Sequence, residues 1–571
     1  MIKLSNLRQY FSHIELRNII NDLANYHRIQ GSHDLVKAAK YLSDLLKDRT
    51  KFNVELIKLS YWKLPRYLDP LPGWDIIDGK AYIVSPRKSL IADFVKYPTS
   101  IAAFSPPGEF EGEVVYVGNG IDYEDPIDGV ALTYGTSLDV YAKLVKLGAK
   151  GVIFFKRNTY SRGIPYINLL PSIKELNLMK VAAISIDRLS ARRILKLIRK
   201  GFKVIVKGYV KARYYENPTL PIVEITLGDQ SPEYHILAHF CHPRGMVNDN
   251  LSGTASLAEA VIALWRYLKN SGSTLGLKFG VKVLFVPEYF GSYTYLNLRE
   301  EGVLASVNLD MIGEKQVITG STLNIVRPPI PLLSPLEAQL YINLKRILSK
   351  FNIKFNIVNY DVGSDHDSYI AMGIPSIMIN QWPDIYYHTH LDTIDKFDCD
   401  VAEIISLTSL ITLLSIAKSG VPEYVVRNYL MFIKGLDLIN SKNLNVLKAR
   451  EYVYDKYVEP NLKIKTSKLN INNLRHNHED ILIEGEGGLM TLRYIRSHIG
   501  IDEYLNFKKQ FHDLKLIRKI LSIMSMILKM RKRIPLKEFN IIVNSEVNRS
   551  IDKEYLLNVL NILRDIGYIN F

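Results

Sequence analysis

Cysteine is nearly absent from this chain of 571 residues, which carries only Cys241 and Cys399. Two thiols exclude a disulfide framework and a zinc site built from cysteines. Long hydrophobic runs are missing too, since none reaches the roughly 18 uninterrupted apolar residues of a membrane-spanning helix. The opening MIKLSNLRQYFSHIELRNII mixes charges into its apolar positions and lacks the continuous apolar stretch of a signal peptide. No internal repeat and no low-complexity tract occurs. These absences lead to the expectation of a soluble, cytoplasmic protein with no membrane contact.

What is present fits a globular protein, with 47% hydrophobic and 23% charged residues. The length exceeds what one hydrophobic core supports, so about two to four domains are expected. A net charge of +15 is compatible with acidic partners, but the excess is scattered along the chain and is a weak signal.

The texture of the sequence changes along its length. Residues 1–62 open with helical spacing, including GSHDLVKAAKYLSDLLKD, followed by the alternating strand pattern FNVELIKLSYW. Residues 63–215 read as short strands and turns, compact enough for an inserted β-rich domain. From 216 to 420 apolar strands alternate with amphipathic helices, which predicts an α/β fold with a mainly parallel mixed sheet flanked by helices. Residues 421–510 read as a helical extension. Residues 511–571 carry two amphipathic helices and end in GYINF.

Functional groups in parallel sheets gather where strands end at their carboxyl edge. Four polar sites fall just past successive strands of the third region. His239, His242 and Asp249 lie in HFCHPRGMVNDNLSG, Glu288 in FVPEYFGS, Asp310 in SVNLDMIG and His388 in YYHTHLDT. An acid ending a strand is often the N-cap of the next helix, and a lone loop histidine is usually only that. Histidines and carboxylates together at one sheet edge form a nitrogen and oxygen ligand set suited to zinc or a similar divalent ion. Two ions about 3.5–4 Å apart can share one bridging carboxylate.

These motifs resemble, across residues 25 to 420, the zinc aminopeptidase family that also includes glutaminyl cyclases. RIQGSHDLVKAAKYLSDLL is similar to the family's Arg-x-x-Gly-Ser helix segment, and VNDNLSGTASLAEA to its Asn-Asp-x-x-Ser-Gly turn. The resemblance implies a bridging aspartate at Asp249, a ligand at Asp310, and a ligand at His388 in the closing His-Thr-x-x-Asp block. It implies zinc as cofactor, one or two ions, with cobalt or manganese as substitutes. Peptides are the implied substrates, losing their N-terminal residue through a metal-activated water. EFEGEVVYVGNG, AKLVKLGAKGVIFFKR and VAAISIDRLSARRILKLIRKG resemble a protease-associated domain, a module that caps such active sites.

Two departures stand out. The family's first histidine belongs to a His-x-Asp motif, and here Cys241 stands where that aspartate would be if His239 is the ligand. A sub-branch with a Cys-His-Pro motif favours His242, which Pro243 would hold extended at the strand tip. The family also has two adjacent glutamates, a general base and a metal ligand, where this chain has Pro287 and Glu288. Glu288 is therefore both the candidate catalytic residue and a candidate ligand, with Glu314, Asp361 and Asp365 as candidates for the unfilled role. Asp365 and Glu314 are also candidates to hold a substrate ammonium group. Tyr289, Tyr386 and Tyr387 lie beside ligands as candidate oxyanion donors. Two alternatives stay open: a catalytically inactive binding scaffold, and a metal-dependent cyclase or deacylase.

The last segment resembles a winged helix, with a break at Pro535. Phe511 to Phe571 holds 11 Lys/Arg against 6 Asp/Glu, a net of +5. That permits nucleic-acid contact, though no single face carries the charge. Such modules also mediate dimerisation, so a homo-oligomer is an open expectation.

Overall fold

The computed structural model describes residues 2–299, 302–464 and 481–571. Its centre is an eight-stranded sheet formed by β1 (Asn53–Ser60), β2 (Thr219–Gly228), β3 (Glu233–His239), β4 (Gly280–Val286), β5 (Val303–Leu309), β6 (Thr322–Val326), β7 (Phe355–Val358) and β8 (Ser376–Trp382). The strand order is β1-β2-β4-β3-β5-β8-β6-β7. The four central strands, β4, β3, β5 and β8, run parallel, while β2 and β6 pair antiparallel to their inner neighbours. Every residue of β4 is buried, as expected for a strand covered on both faces.

Helices α1 (His33–Arg49), α2 (Gly253–Ser271), α3 (Phe290–Leu298), α4 (Pro335–Lys350), α5 (His366–Ala371) and α6 (Cys399–Ser419) cover the two faces. One face packs on α1, α2, α4 and α6 through residues such as Leu42, Leu257, Leu344 and Leu410. The other packs on α3 and α5 through Tyr295, Leu296 and Tyr369. Helix α6 is long and apolar enough to span a bilayer, yet it lies mostly buried in this core. A helix hydrophobic all round is a buried helix when it is sandwiched in this way.

A second sheet of seven strands, all between Gly73 and Tyr215, has its own apolar cores and two helices, Leu138–Lys146 and Arg188–Arg199. The break between helix and strand around Gly148 follows the sequence pattern, with that glycine at φ 101°. The insert leans over the carboxyl edge of the central sheet. Pro165 bridges to Thr389, and the amide of Tyr166 donates to the carbonyl of His388 at 2.7 Å.

The C-terminal region straps insert and core together. Helix α7 (Leu492–Ile499) sits against the insert, where the Arg496 guanidinium grips both oxygens of Glu175 at 2.8 and 3.0 Å. Helix α8 (Leu514–Arg531) packs on α5, and Arg518 donates to the Tyr289 hydroxyl at 3.1 Å. Beyond Pro535 the chain forms two further helices, Leu536–Val547 and Lys553–Asp565, so the last sixty residues hold three helices rather than the two expected. The turn at Asn548, with φ 54°, divides what reads as one amphipathic run. Asn570 then bridges to Glu484 beside the short pair Leu482–Glu484 and Arg533–Pro535.

Candidate metal centre

Each candidate residue sits where a parallel strand ends. His239 is the last residue of β3, Asp310 follows β5 directly, Glu288 lies two residues past β4, and His388 lies in the loop after β8. Asp249 arrives on the turn before α2. That turn is clipped in place by its own side chains. Asn250 accepts from the amide of Met311 at 3.0 Å and donates to the carbonyl of Leu309 at 2.8 Å, and the Ser252 hydroxyl accepts from the amide of Ile312 at 3.0 Å. A side chain on Gly253 would put its Cβ 2.4 Å from the Leu309 carbonyl oxygen, which accounts for the Ser-Gly pair.

Asp392 completes the clip, accepting from the amides of Asn248 and Asp249 at 2.7 and 3.0 Å. Burial pushes the Asp392 carboxyl up to about 8. The Arg-x-x-Gly-Ser segment has a similar job. Buried Arg28 donates to the carbonyls of Leu23, Tyr26, Phe240 and Gly245, and so fixes the loop that carries His242. Ser32 caps α1 by accepting from the Leu35 amide at 3.1 Å.

Asp249 is the hub. Its Oδ1 lies 3.2 Å from His239 Nε2, while its Oδ2 lies 2.8 Å from His388 Nε2 and 3.5 Å from His242 Nε2. Asp310 Oδ1 stands 4.0 Å from His239 Nε2 and has no hydrogen-bond partner, although it is buried. Two triads thus share one carboxylate: His239, Asp249 and Asp310 on one side, and His242, Asp249 and His388 on the other. Glu288 faces His239 and His242 in a third grouping. The sequence posed a choice between His239 and His242, and the structure brings both imidazoles to Asp249.

Electrostatics argue that this cradle wants a cation. Burial holds the Glu288 carboxyl well above its ordinary range and lifts Asp310 to about 6. Burial also lowers His242 to about 3 and lowers His388, leaving both imidazoles neutral and able to ligate. Burial opposes charge on His239 as well, but Asp310 and Glu288 outweigh it and raise that imidazole well above normal. A divalent ion would replace the proton that this acid cluster draws to His239. The orphaned Asp310 oxygen and the nitrogen and oxygen donor set both fit zinc.

The imidazole of His239 has a second partner that the sequence reading did not assign to it. Asp365 Oδ2 stands 3.4 Å from His239 Nδ1, and Asp365 Oδ1 is pinned by the Tyr289 amide at 2.8 Å and the Ser292 hydroxyl at 2.5 Å. Asp365 from α5's N-terminal side therefore occupies the place that Cys241 leaves empty, orienting the ring from behind. Cys241 instead accepts from the Glu288 amide at 3.2 Å.

The other candidates lie apart from the cleft. Glu314 is buried beyond Asn248, whose amide it engages, and Asp361 pairs with Lys515 at 2.6 Å. Tyr289 donates its hydroxyl to Asp367, Tyr387 stacks on His388 with centroids 3.9 Å apart, and Tyr386 lies under Lys396. Backbone strain concentrates at the rim, where His242, Tyr289, Met311 and His388 have φ of 137°, 59°, 61° and 52°.

A cleft of about 230 Å³ opens onto the centre. It is lined by Gln30, Cys241, His242, Glu288 and His388 from the core and by Thr136, Lys156, Tyr166, Ile167 and Asn168 from the insert. Glu288 is the one carboxylate among these lining residues. The ring of Tyr166 lies 5.7 Å from His242 and 5.4 Å from His388. The sequence reading did not identify the insert residues or Gln30 as site residues, although Gln30 and Lys156 both stood inside quoted motifs.

Comparison with known proteins agrees with this architecture. Residues 222–412 match the sequence model of Peptidase family M28. No curated protein matches the chain. Among solved structures, a peptidase M28 precursor from Shewanella amazonensis is 16% identical with a TM-score of 0.54, covering 73% of this chain and 96% of its own. The zinc aminopeptidase BSAP from Bacillus subtilis is 15% identical at a TM-score of 0.51, covering 72% and 97%. A putative peptidase from Clostridium acetobutylicum is 14% identical at a TM-score of 0.50, and the match spans 99% of this chain and 97% of that one. At these identities the likeness concerns the fold.

Proposed function

We propose that this protein, whose residues 222–412 match the sequence model of Peptidase family M28, is a metal-dependent aminopeptidase. The observation that carries the reading is the pair of triads meeting on Asp249 beside a cleft shared by core and insert. His239 and Asp310 on one side, and His242 and His388 on the other, would hold one or two zinc ions with Asp249 between them. A bound ion there supplies Lewis acidity, which activates water and polarises the scissile carbonyl.

The chain's own residues do the rest. Glu288, kept protonated more readily than usual by burial, is placed to exchange a proton with water and with the departing amine. Tyr166 presents its phenol at the roof, where developing oxyanion charge would need a donor. A cleft of about 230 Å³ roofed by the insert suits a peptide end. Asn168 lines the cleft and its Oδ1 has no hydrogen-bond partner, so we assign it the terminal ammonium. The protease-associated reading of the insert gives it the role of roof and filter.

Hydrolysis of leucyl-p-nitroanilide against its N-acetylated counterpart tests this. Zinc-dependent release of nitroaniline from the free-amine substrate alone supports an aminopeptidase. Equal cleavage of the blocked substrate, or metal-independent cleavage, contradicts it.

A further inference from the structure

Lys156 stands at the carboxyl end of the insert strand Gly151–Phe154 and lines the cleft opposite the core residues. It is partly buried, and among the described residues its ammonium group has no carboxylate within ion-pair distance and no hydrogen-bond acceptor. Burial lowers its affinity for the proton, and no anion is near enough to offset that. It lines the same cleft as His242, Glu288 and His388. A half-buried cation with no partner of its own, set in a cleft, is a ready site for an anion. The only acid on the cleft wall, Glu288, belongs to the proton-transfer and metal machinery and makes no ion pair with it.

We infer that Lys156 receives a carboxylate of the substrate, making the preferred substrates short peptides that carry an anionic group next to the scissile bond. This rests on the aminopeptidase reading and names the substrate class of the same site. Asn168 Oδ1 and Lys156 then face the two ends of the bound molecule from the roof. In about 230 Å³ a dipeptide brings its terminal carboxylate under the insert, and an acidic side chain is the other source of the same group.

The test compares leucyl-glycine, leucyl-glycinamide and glutamyl-glycinamide on zinc-loaded wild type, Lys156→Met and Lys156→Arg. A carboxylate-bearing substrate is expected to exceed the neutral amide in kcat/KM by roughly thirty-fold, the size of one charge-assisted contact. The difference should lie mainly in KM. Which of the two acids gains shows whether the terminal or the side-chain carboxylate is read. In Lys156→Met the ratio should fall to within about three-fold, and Lys156→Arg should restore most of it. A neutral preference in wild type, or an unchanged ratio in Lys156→Met, overturns the inference. So does an equal loss of kcat on acid and amide, which would mark a group acting on the scissile carbonyl. If none of the three is cleaved, the aminopeptidase reading falls separately. Calorimetry with leucyl-glycine and leucyl-glycinamide then decides: tighter binding of the acid, lost in Lys156→Met, sustains Lys156 as the anion site, and equal or absent binding overturns it.

Discussion

Removing the Arg496 side chain should loosen the roof of the cleft by an amount the structure lets one calculate. Arg496 and Glu175 are 10% and 7% exposed and meet through two bonds of 2.8 and 3.0 Å. Arg496 also donates to the Leu170 carbonyl at 3.3 Å. Burial alone would raise the Glu175 carboxyl, yet Arg496 holds it below its usual range. Arg496→Ala leaves that carboxylate buried without its cation, a loss of about 3–5 kcal/mol for a pair of this kind. In a multidomain chain this acts on opening of the seam rather than on one global transition. Hydrogen exchange in residues 166–178 and 492–499 should therefore accelerate by roughly a hundred- to five-thousand-fold. Replacing both partners, Arg496→Met with Glu175→Met, removes the stranded charge. It still loses the helix cap in which Glu175 accepts from the Ser172 amide at 2.8 Å, worth about 1 kcal/mol. The double variant should exchange only about five- to ten-fold faster than wild type. Single-variant exchange within about three-fold of wild type, or a double variant as labile as the single, would refute the reasoning.

Other consequences follow from the same geometry. Glu288→Gln should keep its metal and lose at least about a hundred-fold in kcat if the carboxyl transfers the proton; metal loss on dialysis of Glu288→Gln and Glu288→Ala would identify a ligand instead. Buried Glu259 has its carboxyl raised by burial to about 7 against an ordinary 4.5, despite Arg266 at 2.8 Å and the Ser12 amide at 2.9 Å. A raised carboxyl contributes stability that is full below about 4.5 and is lost as pH rises through about 7, at most roughly 3 kcal/mol. Glu259→Gln should flatten the drop in unfolding midpoint between pH 5 and pH 8, and an identical drop in both proteins would count against it.

How much of this was legible in the chain depends on what each residue does locally. Asp249, Asp310 and His388 were readable because their neighbours carry backbone tasks with strict chemistry: Asn250 and Ser252 clip a turn, Gly253 clears the Leu309 carbonyl, and Asp392 accepts two amides. The central parallel strands were readable as apolar runs between helices. The outer strand β6 and the edge strand β7 are short, five and four residues, and their pairing supplies a signal that local pattern lacks. That His242 faces the hub together with His239 depends on the His242 backbone at φ 137°, which no spacing rule anticipates. Asp365 and Lys156 reach the centre only through docking of α5 and of the insert, so the sequence offered Asp365 as a candidate without its contact to His239 and gave no sign that Lys156 lines the cleft.

Anomalous diffraction at the zinc edge, from crystals grown with zinc, tests the central claim most directly. The account predicts one or two peaks at about 2.0–2.2 Å from the Asp249 carboxylate oxygens, flanked by His239 and Asp310 on one side and His242 and His388 on the other. An absence of signal at Asp249, with those side chains turned from one another, would contradict it.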